Sequence, residues 1–283
     1  MNPFRNKIAI VTGGASGIGR ALGAELGRRG AKVVLADLNG SGAVDAAADI
    51  TASGGTAEGR AVDVRSFEAV ETLVASVVEA HGRIDFMFNN AGIGVFAEER
   101  DATLSDWHKV IGVNLWGVVH GVRAAYLRMV QQGFGHIVNT ASLAGLTPAP
   151  GEISYAASKH AVVGLSCALR AEAADLGVRV SVVCPGLIDT PIIRTSEVRG
   201  IERDAMMKVV GSTKWMSPDA CARAILRGVE KNKAIIVITP LARAIWLLTR
   251  ISPSLAIRFW QKMLLARLRP LRRAAAEAGP TQN

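Results

Sequence analysis

Cysteine and tyrosine are scarce in this chain, with three Cys and two Tyr in 283 residues. Cys167, Cys184 and Cys221 stand apart, without C-x-x-C spacing or a His-rich partner segment, which argues against a zinc site or a disulfide framework. No metal is expected. Aromatic residues are 5% of the chain against 29 Gly, a balance that suits closely packed layers of strands and helices. The amino terminus, Met1 to Lys7, leads directly into an apolar run with no h-region and no small-residue cleavage site, so a cytoplasmic protein is expected. Acidic residues nearly vanish at the other end. Residues 231–283 carry ten Lys and Arg against the single acid Glu277, whereas residues 1–230 hold 23 of each sign. The net charge of +9 is therefore a property of a basic tail, and no nucleic-acid partner is expected.

What is present is a regular alternation. Hydrophobic residues make up 49% of the chain and mean hydropathy is +0.26, enough for a buried core. The strand Lys7–Thr12 runs into Gly13-Gly-Ala-Ser16-Gly17-Ile18-Gly19, and a helix with Ile18, Leu22 and Leu26 on one face follows. Strand, glycine turn and helix together make a phosphate cradle, because glycines admit close approach and the helix start offers unpaired N–H groups. The next strand ends at Asp37, about 20 residues on, where a dinucleotide fold places the acid for the adenosine ribose. An acid there accepts from the ribose hydroxyls and repels a 2′-phosphate, which favours NAD while leaving NADP open.

Tyr155-x-x-x-Lys159 puts a phenol and an ammonium one helical turn apart. A nearby cation favours the phenolate, so Tyr155 is a candidate acid/base. Ser142, just past the apolar run His136–Thr140, is placed at a strand end where its hydroxyl reaches the same substrate oxygen. The plainer reading makes Tyr155 and Lys159 two polar residues on a solvated helix face.

Strands at 56–62, 84–88, 179–184 and 234–239 and helices at 42–52, 66–80, 103–129 and 217–230 continue the pattern. Asp63 closes the third strand and Asn89-Asn90-Ala91-Gly92 follows the fourth. Asn114 falls inside the long helix, where it either faces solvent or has a hydrogen-bonding task. Residues 187–216 lack a single period and are rich in Ile, Met, Val and Trp. They fit a substrate lid for an oily ligand, or equally a segment packed on the core. The expected organisation is a catalytic domain over 1–240 and a basic amphipathic extension over 241–283, its last residues disordered. No run in that extension reaches the roughly 18 to 20 uncharged residues a membrane span needs. It either packs on the protein or lies in a membrane interface.

The ordered set Thr12-Gly13-x-x-x-Gly17-x-Gly19, Asp37, Asp63, Asn89-Asn90-Ala91-Gly92, Asn114, Ser142, Tyr155-x-x-x-Lys159 and Pro185-Gly186 resembles the short-chain dehydrogenase/reductase family over residues 5 to about 240. The resemblance implies an α/β Rossmann-type fold, a doubly wound parallel sheet of seven strands with helices on both faces. It implies Tyr155 as general acid/base, Lys159 lowering its pKa and binding the nicotinamide ribose, Ser142 polarising the substrate oxygen, and Asn114 holding a relay water. It further implies Asp63 and Val64 at the adenine, Asn90, Ala91 and Gly92 beside the cofactor, and Pro185, Gly186, Ile188 and Thr190 around the carboxamide. An NAD-dependent oxidoreductase of a secondary alcohol or ketone follows, working as a homodimer or homotetramer, and the apolar composition of residues 187–216 and of the tail makes a hydrophobic substrate, steroid, terpenoid or lipid-like, the expected one. The alternative is an inactive dinucleotide-binding sensor or scaffold.

Overall fold

The computed structural model describes residues 2–211 and 215–277; the expectation of disorder at the extreme carboxyl terminus lies outside them. The chain begins β1 (Ile8–Thr12), α1 (Gly17–Arg28), β2 (Lys32–Asp37), α2 (Gly40–Ala52), β3 (Thr56–Ala61), α3 (Phe67–His81) and β4 (Phe86–Asn89). It continues with β5 (Val95–Phe96), α4 (Leu104–Ile111), a π-helical turn at Gly112–Trp116, α5 (Gly117–Gln132), β6 (Gly135–Thr140), a 3₁₀ turn at Leu143–Gly145, α6 (Ile153–Glu172) and β7 (Val178–Pro185). The last part holds α7 (Pro191–Thr195), β8 (Glu197–Val198), α8 (Arg203–Gly211), α9 (Pro218–Glu230), β9 (Ile235–Ile238), α10 (Pro240–Ile251) and α11 (Pro253–Glu277).

Seven strands form one parallel sheet in the order β3-β2-β1-β4-β6-β7-β9. Central strands such as β1 and β4 are buried along their whole length, as apolar runs with helices on both faces must be. One face packs Leu22, Leu26, Ala43 and Ile50 against Val33 and Leu35 and reaches Ile225 and Leu226 of α9. The other packs Val70, Val74, Ala125 and Met129 against Ile10, Met87 and Ile137. Strand order reverses between β1 and β4, so the loops leaving their carboxyl ends diverge and open a crevice there.

Local chemistry sets the boundaries. Ser66 caps α3 by accepting from Ala69 N, and Gly82 ends it in the left-handed region. Thr103 and Asp106 form the reciprocal capping box expected from sequence. The helix expected over 103–129 is not continuous α-helix, because it widens into the π turn at Gly112–Trp116 that carries Asn114. The aperiodic segment at 187–216 contains α7, β8 and α8, and β8 pairs with β5 as a separate two-stranded sheet.

Candidate active site

The glycine-loop end of the crevice is held by Thr12. Its hydroxyl accepts from the N–H groups of Asn90 and Ala91 at 2.9 and 3.1 Å, and Asn90 Nδ2 donates to Thr12 O at 3.1 Å. These bonds draw the loop after β4 against the loop after β1. The approach leaves room only for glycine: Gly13 has φ +67°, and a Cβ on it would sit 2.9 Å from Ala91 Cα. A Cβ on Gly19 would fall 2.0 Å from Gly13 O. Ser16 is the N-cap of α1 but its side chain makes no capping bond, so the first N–H groups of the helix keep their capacity for an anion. Asp37 accepts from Ala15 N at 3.0 Å and from Asn39 N at 2.9 Å, which fixes its carboxylate beside the glycine loop.

Asp63 is not free to face a ligand alone. Arg65 grips it through Nε and Nη2 at 3.0 and 2.6 Å, and this contact holds the carboxyl below its ordinary range. Arg65 lines the crevice as well, and nothing in the spacing of the motifs signalled it.

At the other end, Ser142 follows β6 and caps the 3₁₀ turn by accepting from Ala144 N at 3.2 Å. Tyr155 and Lys159 sit on the first turns of α6. Lys159 is buried, with Nζ donating to Thr140 O at 2.9 Å and lying 5.5 Å from the centre of the Tyr155 ring. Burial lowers the Lys159 ammonium to about 8. Burial also pushes the Tyr155 phenol up, the charge of Glu152 adds to this, and the hydrogen-bonding neighbour Ser142 acts the other way. The expectation that Lys159 lowers the phenol is therefore not met in the protein alone. Desolvation is the larger effect, and the cation lies over the ring. Asn114 is fully buried behind the crevice. Its Oδ1 accepts from Ile93 N at 2.8 Å, and its Nδ2 donates to Ile93 O at 2.9 Å and Ser158 Oγ at 3.2 Å.

One cleft of about 780 Å³ joins both ends. Gly13, Ser16, Gly17, Ile18, Asp37, Asp63, Val64, Asn90, Ala91, Gly92, Ser142, Tyr155, Lys159, Pro185, Gly186, Ile188 and Thr190 all line it. Of the candidates, Gly19 and Asn114 lie behind the wall. The cleft is closed on one side by Ile192, Ile193 and Trp215 from the 187–216 segment, which is tied to the body by Arg199. That guanidinium meets Asp106 at 2.7 and 2.8 Å and Glu197 at 2.7 Å. Glu152 also lines the cleft and was missed in the sequence. Its position three residues before Tyr155 was the signal that could have found it.

The family model for the short chain dehydrogenases matches residues 7–199. The chain belongs to this family. A crystal structure of a short chain dehydrogenase/reductase from Burkholderia phymatum in complex with NAD superposes with a TM-score of 0.82 at 32% identity, covering 90% of this chain and 96% of that one. "Probable oxidoreductase EphD" of Mycobacterium tuberculosis (strain CDC 1551 / Oshkosh) is 37% identical over 259 residues. That match takes in 88% of this chain and 44% of EphD, so the chain spans less than half of that relative's length. D-threitol dehydrogenase of Mycolicibacterium smegmatis is 35% identical over 218 residues, 77% of this chain and 84% of the relative. The bonded pair of loops after β1 and β4 lies at the switch point of the sheet, where open α/β folds hold their ligands.

Proposed function

We propose that this protein is an NAD-dependent oxidoreductase that interconverts a hydrophobic secondary alcohol and its ketone, with Tyr155 as general acid/base. The observation that carries the reading is one cleft with Ser142, Tyr155 and Lys159 at one end and the glycine loop with Asp37 at the other. Asp37 supports NAD over NADP, because its fixed carboxylate would face a 2′-phosphate with like charge. The apolar wall of Ile93, Phe96, Val113, Leu187, Ile192 and Trp215 supports a substrate with a hydrocarbon body.

Bound nicotinamide supplies the site that gives or receives the hydride. The chain's own residues manage the proton. In ketone reduction the Tyr155 phenol, kept protonated by its burial, donates to the carbonyl oxygen while the Ser142 hydroxyl polarises it. In alcohol oxidation Tyr155 must first lose that proton, so oxidation gains with rising pH. Lys159 holds the ribose side, and Asn114 fixes the Ile93 loop and the turn of α6 that Ser158 belongs to, next to the ammonium.

Two partner proposals belong to this reading. A second copy would cover the exposed Leu104 and Trp116 on α4 and the π turn, giving a homodimer or part of a homotetramer. The outer face of the extension, apolar and basic, would rest on an anionic membrane surface. The test of the activity is the initial rate of NAD and NADP reduction with secondary alcohols of graded hydrophobicity, and the reverse reaction with ketones. Wild type is expected to use NAD, with Tyr155→Phe slower by at least a factor of about 10². NAD binding with silence in both directions would favour the sensor reading.

A further inference from the structure

Four carboxylates line the cleft, and three of them are held. Asp37 accepts two backbone N–H groups, Asp63 is gripped by Arg65, and Glu197 pairs with Lys109 and Arg199. Glu152 has no hydrogen bond or ion pair on its side chain among the described residues. It occupies the N-cap of α6 yet does not cap it, so its carboxylate is not spent on the helix. Its backbone, by contrast, is pinned: Glu152 N donates to Ala149 O at 3.2 Å, Ala156 N donates to Glu152 O at 2.8 Å, and the residue bridges Ala97. A fixed backbone therefore presents an unpartnered carboxyl to the reaction cleft one turn before Tyr155.

That arrangement works against the protein on its own. Burial drives the carboxyl up to about 7, and its charge opposes ionisation of the phenol that must serve as base. Glu152 is half-buried and its oxygens remain open to the cleft, so a ligand that displaces water from them must supply a donor in its place. An ammonium fits poorly, since Lys159 already places a cation in the same end of the cleft. A neutral hydroxyl fits both neighbours. Glu152 at the N-cap of α6 and Tyr155 in its first turn open on the same cleft, and the charge of Glu152 is felt by the phenol, so the donor belongs beside the reacting carbon rather than at the far end of the substrate.

We propose that Glu152 is a substrate-recognition residue whose carboxylate accepts a hydrogen bond from a hydroxyl adjacent to the reacting carbon, selecting vicinal diols and α-hydroxyketones with an apolar body over simple mono-alcohols. This rests on the alcohol-dehydrogenase reading and narrows its substrate class.

The experiment uses a matched set, cyclohexanol, trans-cyclohexane-1,2-diol and trans-2-aminocyclohexanol, against the full chain saturated with NAD. Calorimetric binding and NADH formation are followed in parallel for wild type, Glu152→Leu and Glu152→Gln. A hydrogen bond to a charged acceptor predicts that wild type prefers the diol by about ten- to a hundredfold in binding and in kcat/KM. In Glu152→Leu that preference disappears and the mono-alcohol gains, because a desolvated acid has been replaced by an apolar group. Glu152→Gln keeps an acceptor without the charge and shows a reduced preference, which decides the matter if the Leu variant fails to fold. Equal binding of diol and mono-alcohol by wild type, a preference that survives in both variants, or stronger binding of the amino alcohol overturns the proposal. Diol-selective binding that is lost in the variants without any NADH formation leaves the recognition role standing and overturns the activity instead.

Discussion

Lys159 shows how the site is built at the expense of ease of folding. Its ammonium is buried, answered by Thr140 O, and lowered from 10.5 to about 8. The unfolded chain therefore binds more protons than the folded one between pH 8 and 10.5, and stability contributed through this group rises with pH across that window. Replacing Lys159 with Met should abolish NADH formation, by at least about 10²-fold, while leaving the melting temperature at pH 7 no lower than wild type. Melts of the two proteins compared at each pH cancel Cys221, whose thiol burial pushes up to about 12, whereas Cys184 shares a charge interaction with Lys159 and changes with it. If the Met variant melts well below wild type at pH 7, the buried ammonium is stabilising and the argument fails. Residue identities were legible in the sequence wherever spacing implies geometry, as for Tyr155 with Lys159 or Gly13 with Gly19. Arg65 was not, because what marks it is a neighbour in space, and for Glu152 the sequence offered a position three residues before Tyr155 but not its lack of a partner. The direction of the Tyr155 shift was missed for a related reason. Spacing puts the cation nearby, but only the fold says how little water remains.

Among the elements, the link between α4 and the segment over the cleft carries a testable load. Asp106 is buried, closes the capping box with Thr103, and takes both prongs of Arg199. The arginine holds its carboxyl down at about 2. A lowered carboxyl contributes stability that is present above its unfolded value near 3.8 and is lost as pH falls through about 2. The shift corresponds to about 2 kcal/mol at neutral pH. Asp106→Asn should lower stability by about that much in urea melts at pH 7 and by much less near pH 2. It should also raise KM for a ketone substrate more than it lowers kcat, since Arg199 anchors the wall that bears Trp215. An equal loss at both pH values would mean that Asp106 acts by packing alone. The capping box was readable from Thr103-x-x-Asp106, whereas Arg199, 93 residues away, was not. The π turn was equally hidden. Asn114 in mid-helix hinted at a task, yet the widening appears only once its amide is seen bonded to Ile93 and Ser158. Short pieces such as α7 and β8 escape periodicity because five and two residues span little more than one repeat of the helix or strand pattern.

For the whole molecule, the question the sequence left open was whether the extension packs on the protein or on a membrane, and the structure commits one of its faces to the protein. The inner face is committed. Trp260 Nε1 and Thr249 Oγ1 both meet Thr147 Oγ1, at 2.8 and 3.2 Å, Ala242 and Ala256 are buried, and Arg272 reaches Glu98 at 2.6 Å. The outer face keeps Leu241, Leu247, Leu248, Ile251, Leu255 and Phe259 exposed, Ile251 at 75%. Among them stand Arg243, Arg250, Arg258 and Lys262, none with an acidic partner among the described residues. Helical periodicity predicts two faces but not which neighbour each one meets, which is why sequence alone stopped short. Apolar side chains beside cations that lack an acidic partner match the boundary of an anionic bilayer, where each cation near the surface contributes about 1 kcal/mol. The protein should therefore sediment with vesicles containing phosphatidylserine and stay in solution with phosphatidylcholine alone, and raised salt should weaken the binding. Leu247 and Ile251 lie one turn apart, so replacing both with Glu puts two negative charges on that face without touching the Thr147 contacts. That variant should lose vesicle binding at least tenfold with an unchanged melting temperature. Sedimentation unaffected by the double substitution, or by lipid charge, would assign the exposed face to a second copy of the chain. Light scattering would then show a mass that falls in the same variant, whereas a dimer held through Trp116 would fall apart with Trp116→Glu instead.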